Sequence, residues 1–421
     1  MSLRTIVIGS GLVGLSSAHF LQRRGHDVLV LDRAEGPGLQ TSFANGSILT
    51  PSMPEPWNAP GCWRVLLASL ARSDAPLQLR FRQLPSLAGW GIKFLRSSSP
   101  KAYTRNTLSN LRLALYSLEV MERLRGETGV DYDRSARGTL RVFRDAAALE
   151  AASAGAERLV SEGLPYLPLS TAQTIALEPA LAPIAGQLAG AIHYPVDETG
   201  NAYRFCVALA DYLRTQGVDF RFRTDVSRIE TAAGRVSAVV AGSERLVADR
   251  YVVAAGSFTT PLLKRIGVLV PVRPAKGYSV TFDRSAINTT LRIPVVDDAL
   301  HAVVVPLSHA VRVAGTAEFA GFDYSLPSAR IRNLTTLLKR VLPNVPFDPQ
   351  AAKPWCGLRP MAADGVPIIG KTALPNLFVN TGHGHLGWTM AAGSGKLLAD
   401  VMSGESPEIS PDPFALSRFV R

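Results

Sequence analysis

Residues 5–32 read TIVIGSGLVGLSSAHFLQRRGHDVLVLD, and this stretch decides the fold. The apolar run 5–8 (TIVI) reads as a buried strand stopped by Gly9. Residues 12–24 are helix formers with Gly25 in the C-terminal cap position, and 27–31 (DVLVL) make a second buried strand. Between strand and helix lies Gly9-Ser10-Gly11-Leu12-Val13-Gly14, and Asp32 followed by Arg33 closes the second strand. Gly9 permits the tight turn, Gly11 lets backbone approach a pyrophosphate, and Gly14 lets helix and strand pack closely. The helix N-terminus attracts the phosphate charge, and Asp32 accepts hydrogen bonds from the adenosine ribose while disfavouring a 2′-phosphate. Glycines at this spacing are common, but the full strand, turn, helix, strand and acid together specify dinucleotide binding.

Working outward, no second unit of this kind follows. Residues 41–60 are rich in Ser, Asn, Gly and Pro and read as an ordered loop region. Segment 61–125 is helical in character and holds eleven Arg/Lys against three acids, so most of the protein's net charge of +11 sits there. Short strands are expected near 138–143 and 191–194 around an Ala-rich helix at 146–162, a mixed second domain. Further strands fall at 219–223, 226–230, 236–240, 251–255, 268–282, 302–306, 311–315 and 377–380, with helices at 205–216, 329–342 and 388–402.

A chain of 421 residues is long enough for two or three domains, and 47% hydrophobic with 19% charged residues excludes the disordered and fibrous classes. Cys62, Cys206 and Cys356 are scattered, without metal-ligand spacing, so neither a zinc site nor a disulfide framework is indicated. No apolar run approaches the length of a bilayer span. The apolar 5–21 stretch is broken by three glycines and lacks a charged leader and a cleavage site, so a cytoplasmic location is expected. Trp63, Trp90 and Phe94 among the arginines of 61–125 suit a helix lying on an anionic membrane, or equally a solvated basic face over a packed aromatic side. No helix-turn-helix, RRM or zinc pattern points to nucleic acid.

A second glycine-rich loop, Gly382-His383-Gly384-His385-Leu386-Gly387, lies near the opposite end of the sequence and leads into a helix. The two ends could clasp one long cofactor, the loop's N–H groups facing the pyrimidine side of an isoalloxazine ring; the bland alternative is a plain cap and turn.

Together with residues 1–60, including TSFANGSILTPS (41–52), the segments DETGN (197–201), PAKGYS (274–279), WCGLRPMAADGVPIIG (355–370) and NTGHGHLGWTMAAGSG (380–395) resemble the FAD-dependent D-amino acid oxidase superfamily. Within it they are most similar to the small-subunit type of bacterial D-amino acid dehydrogenase. The family usually has Thr and Cys where this protein has His385 and Ala392. The resemblance implies an α/β fold: a Rossmann-like FAD-binding domain of the D-amino acid oxidase type, assembled from 1–85, 197–265 and 357–421, with an interleaved α+β substrate domain from 86–196 and 266–356. It implies non-covalent FAD and oxidative deamination of a D-amino acid to a 2-oxo acid and ammonia, by hydride transfer from Cα to flavin N5. Electrons would pass to a quinone or another acceptor, with peripheral membrane contact through 61–125. Alternatives are a dehydrogenase for D-proline or cis-4-hydroxy-D-proline, or an oxidase using O₂.

By the same resemblance Arg359 in GLRP binds the substrate carboxylate, a task suited to a guanidinium fork. Tyr278 orients that carboxylate or lines the pocket, or packs as a core strand tyrosine. His383 and His385 polarise the flavin or touch substrate, or serve as hydrogen-bonded scaffold. Ser42, Ala44, Asn45 and Gly46 pass the ribityl chain and flavin edge, Val226 meets the adenine, and Ala255-Gly256 close over the nucleotide. Gly384, Leu386, Gly387, Trp388 and Thr389 complete the cofactor set. No metal ligand is expected.

Overall fold

The computed structural model describes residues 2–64, 77–300 and 302–420. Its first elements follow the sequence closely: strand β1 (Arg4–Ile8), helix α1 (Leu12–Arg23) and strand β2 (Asp27–Leu31). Gly25 ends α1 with φ +76°. Strands β1 and β2 pair in parallel, and Arg250–Val253, Leu377–Thr381 and Asp219–Arg221 extend the same sheet, also in parallel. Ile368–Lys371 adds an antiparallel edge, giving six strands with β1 near the middle. Both faces are covered, as a parallel sheet requires. On one side α1 packs against the Ala391–Ser403 helix so closely that a Cβ on Gly395 would lie 2.6 Å from the Ser16 carbonyl carbon. On the other side the strands' apolar residues meet a small antiparallel sheet of Val226–Ala232, Arg235–Ala241 and Glu244–Leu246.

A second, larger mixed sheet runs in the order Lys353–Ala362, Val272–Asp283, Ala310–Phe319, Ala302–Pro306, Val295–Asp297, Thr139–Phe143, Gly190–Tyr194, Leu167–Leu169. The Ser328–Val341 helix covers its apolar core. Two expected boundaries need correction. Residue 357 falls inside Lys353–Ala362, whose ten residues pair throughout with Val272–Asp283, so the GLRP segment belongs to this second sheet. Leu77–Leu79, expected with the nucleotide-binding part, pairs in parallel with Ala317–Phe319 of the same second sheet.

The basic segment contains the helices Leu84–Arg96 and Pro100–Thr128. Arg72 and Asp74 lie outside the described residues. Among the described residues no helix is long and apolar enough to cross a membrane, and no cluster of His, Cys, Asp or Glu could hold a metal ion.

Candidate active site

A continuous cavity of about 1100 Å³ runs from the end of β2 between the two sheets. At its first end stands the glycine turn. Gly9 has φ +112°, and a Cβ there would sit 2.5 Å from the Ala254 carbonyl oxygen; a Cβ on Gly14 would be 1.9 Å from the Gly9 oxygen. Helix and strand therefore touch backbone to backbone. The α1 N-terminus has no side-chain cap from Gly11 and no acid in its first turn. Its Leu12 N–H donates to Ser42 Oγ at 3.3 Å, and Gly9, Gly11, Leu12 and Val13 line the cavity. An exposed positive helix end beside a side-chain-free cradle fits a pyrophosphate.

Asp32 also faces this cavity, its carboxylate held by Ser10 N–H and O–H (2.7 Å each) and by Ala34 N–H (2.8 Å), with acceptor capacity left for a ribose hydroxyl. Arg33 lies 3.6 Å over the Phe258 ring. Val226, Ala255 and Gly256 border the same end. The loop from Ala44 to Ser47 is tied to the second sheet: Ser279 Oγ donates to the Ala44 oxygen (2.6 Å), and Arg312 Nη1 donates to the Asn45 oxygen (3.2 Å) and Ser47 Oγ (2.6 Å). Ser42, Ala44, Asn45 and Gly46 all line the cavity.

At the opposite wall the Arg359 guanidinium rests on Gly277, where a Cβ would come within 2.3 Å of Cζ. One hydrogen bond is made, from Nη1 to the Thr316 oxygen at 3.3 Å, and among the described residues no carboxylate lies within ion-pair distance. Burial lowers its pKa to about 10, which leaves it a cation at neutral pH. The Thr316 carbonyl is aimed there by a bulge: register slips between Gly277 and Tyr278, and Thr316 takes φ +54°, strained for a β-branched residue. The Trp57 ring stands 5.8 Å from the guanidinium and stacks at 5.8 Å on His385.

Both histidines are neutral, because burial lowers His383 to about pKa 3 and His385 to about 4. Ser394 spends its hydroxyl proton on the Met390 oxygen (2.7 Å), so His383 Nε2–H donates to Ser394 Oγ (3.0 Å). His385 Nε2–H donates to the Met53 oxygen (3.1 Å). Neither is an acid at neutral pH; both fix loops.

The remaining expected residues divide. Gly384, Gly387 and Trp388 line the cavity, and Trp388 Nε1 also donates to the Gly200 oxygen at 3.2 Å. Leu386 is instead part of the core around α1, and Thr389 Oγ1 accepts from Thr50 N–H at 2.9 Å. Gly14 acts through packing alone. The helix after the second glycine loop starts at Ala391 rather than 388, following a short 3₁₀ turn at Gly384–Leu386. Tyr278 takes the core alternative. It borders the cavity, while its ring sits in the core with Val280 and Phe282 and its hydroxyl proton is donated to Glu318 at 2.6 Å. Its neighbours on the strand, Gly277 and Ser279, face the cavity, as alternation demands. Sequence reasoning missed Trp57, Gly277, Thr316 and Arg312, because each acquires its place through pairing with a distant strand or loop.

The model of FAD-dependent oxidoreductases of the DAO type matches residues 4–401. The chain belongs to the DAO family. It is 41% identical over 418 residues to a D-amino acid dehydrogenase of Paramagnetospirillum magneticum, covering 99% of both proteins. Against the D-amino acid dehydrogenase of Methylobacterium radiotolerans the identity is 42% over 418 residues, 99% of this chain and 100% of that one. The DAO fold is also seen in glycine oxidase from Geobacillus kaustophilus (TM-score 0.77, 22% identity, full coverage of both proteins). L-proline dehydrogenase from P. horikoshii shares it as well (TM-score 0.78, 17% identity, 100% and 98% coverage). As a DAO-family member the protein is an FAD-dependent oxidoreductase, and the glycine cradle and open α1 terminus fit that cofactor.

Proposed function

We propose that the protein oxidises D-amino acids to 2-oxo acids and ammonia with non-covalently held FAD, passing the electrons to an acceptor other than a nicotinamide. The observation that carries this reading is Arg359, a cation with no carboxylate partner among the described residues, in the same cavity as the dinucleotide cradle. A bidentate guanidinium is the best receptor for an amino acid carboxylate. FAD, when bound, would supply the two-electron acceptor for the hydride that leaves Cα. The amine must be neutral to donate its lone pair into the forming C=N bond, and the Arg359 charge beside it favours loss of the ammonium proton to water. Water then adds to the imine, releasing ammonia and the 2-oxo acid. No protein base is required: among the described residues Asp297 and Asp298 are paired with Arg144 and Arg141, Asp32 is at the cradle, and His385, the imidazole near Arg359, is made a weak base by burial. Orientation is the protein's main contribution.

The test is anaerobic bleaching of the purified yellow protein by a panel of D- and L-amino acids and cis-4-hydroxy-D-proline, followed by turnover with a dye acceptor and with O₂. Bleaching by acyclic D-amino acids is expected; bleaching by none of them rejects the reading, and strong preference for the ring substrate replaces it.

The acceptor we propose is a membrane quinone, reached by peripheral contact. Leu84, Ala88, Ile92 and Leu95 form an exposed apolar stripe on the Leu84–Arg96 helix, with exposed Arg82, Arg96 and Lys101 around it. An apolar stripe with a basic rim suits an anionic bilayer surface. Residues 65–76 of the basic segment lie outside the described residues. Co-sedimentation with phosphatidylglycerol vesicles, absent with phosphatidylcholine and weakened by Ile92→Glu, is expected; equal recovery in the supernatant with both lipids rejects the contact.

A further inference from the structure

We infer that Trp57 is the specificity-determining residue of this cavity, restricting the reaction to D-amino acids with compact, uncharged side chains. The inference rests on the D-amino acid reading above. One indole ring touches both functional landmarks, stacking on His385 of the second glycine loop and standing 5.8 Å from the Arg359 guanidinium. An amino acid whose carboxylate engages Arg359 therefore sets its Cα and first side-chain atoms against that ring.

The ring cannot easily retreat. Its loop is fixed by buried bonds along its length: Thr50 N–H to Thr389 Oγ1 (2.9 Å), Ser52 Oγ to Asp197 (2.5 Å), and Asn110 Nδ2 to the Pro54 oxygen (2.9 Å). Behind it lies an apolar cluster that includes Trp90, Phe94 and Met361. A bulky side chain would thus have to displace packed protein, which costs more than a side chain can return by its own burial.

Charge is excluded by a different route. The wall beyond Arg359 is apolar, with Met53, Val303 and Ala314 facing the cavity. The charged groups that line the cavity there are Asp297, paired with Arg144, and the ion pair of Arg141 and Asp298. Arg141 stands on Thr139–Phe143, five strands from the Arg359 strand, and its charge is met by Asp298 and by Glu55. These groups already neutralise one another, so a charged side chain would be stripped of water without a free partner. Trp57 also excludes water from the guanidinium, which strengthens its hold on the substrate carboxylate.

The experiment compares wild type, Trp57→Leu and Trp57→Phe as FAD-loaded proteins. It reads kcat/KM for D-alanine, D-phenylalanine and D-aspartate, and the binding of acetate and benzoate through the visible absorbance of the flavin. Wild type is expected to favour D-alanine over both others. Trp57→Leu is expected to raise the D-phenylalanine to D-alanine ratio at least about 10-fold, within the range a hydrophobic pocket can discriminate. Benzoate should tighten relative to acetate, and Trp57→Phe should fall between. A ratio within about twofold of wild type in both variants, or a wild type that prefers D-aspartate, overturns the inference. If Trp57→Leu does not retain FAD, Trp57→Phe decides alone. A wild type that no D-amino acid bleaches is a failure of the parent reading, seen before any variant is made.

Discussion

Gly277→Ala is the sharpest perturbation the site offers. The added Cβ would lie 2.3 Å from Arg359 Cζ and 2.4 Å from each Nη. Carbon–carbon contact needs about 3.5 Å, so the guanidinium must move by roughly 1 Å. Little resists that motion, since its hydrogen bond to the Thr316 oxygen is 3.3 Å long, and the Trp57 ring limits the directions open to it. The strand itself tolerates alanine, because Gly277 pairs regularly with Gly357 and has no positive φ. A displacement of about 1 Å in a substrate-positioning group costs on the order of 100-fold in rate. The assay is kcat/KM with a dye acceptor in Gly277→Ala, Arg359→Ala and the double variant, with FAD content and melting temperature checked in each. If the glycine acts through the arginine, Gly277→Ala falls by about 100-fold with FAD retained, and adding it to Arg359→Ala costs almost nothing more. A loss below about threefold, or fully additive losses, would refute the proposal that Arg359 must lie flat on residue 277.

Two further perturbations test the scaffold. Gly14→Ala places a methyl group 1.9 Å from the Gly9 oxygen, backbone that cannot swing away, so the purified variant should be colourless or insoluble; a yellow, soluble variant would show that the cradle is not closed by this contact. Asp197 is fully buried, accepting from Ser52 N–H and O–H and from Thr139 O–H without a cation, and burial raises its pKa from near 4 to about 7. The folded state therefore holds a proton that the unfolded chain has released, and this group's contribution to stability is lost as pH rises from about 4 to 7, by at most about 4 kcal/mol. Asp197→Asn keeps an acceptor for Ser52 N–H while both hydroxyls can turn to accept, so melting at pH 5 and pH 8 should show the variant gaining on wild type at the higher pH; an unchanged difference would contradict the assignment.

The nucleotide half of the fold was legible because its signals are local. Turn, helix start and acid lie within residues 5–32, and the chemistry of each glycine follows from its immediate neighbours. The substrate half was legible only as motifs. That Arg359 belongs to the second sheet, and that Tyr278 turns into the core while Gly277 faces the cavity, depends on strand parity, and both faces of PAKGYS are buried, so no apolar–polar alternation reveals it. Trp57 stood in a loop with no periodicity at all; its meaning comes from His385 and Arg359, more than 300 residues away. The Thr316 bulge likewise exists only as a mismatch between two strands.

The contact between α1 and the Ala391–Ser403 helix bears on biosynthesis. The first helix leaves the ribosome long before the surface that covers it, and its sheet partners at Arg250–Val253 and Leu377–Thr381 are also late. At ordinary translation speeds that interval is on the order of 20–80 s. Throughout it the nascent glycine turn and its apolar flanks have no permanent shelter, so a polypeptide halted before its final helix carries sticky, unfinished nucleotide-site elements, a natural target for chaperones and proteases.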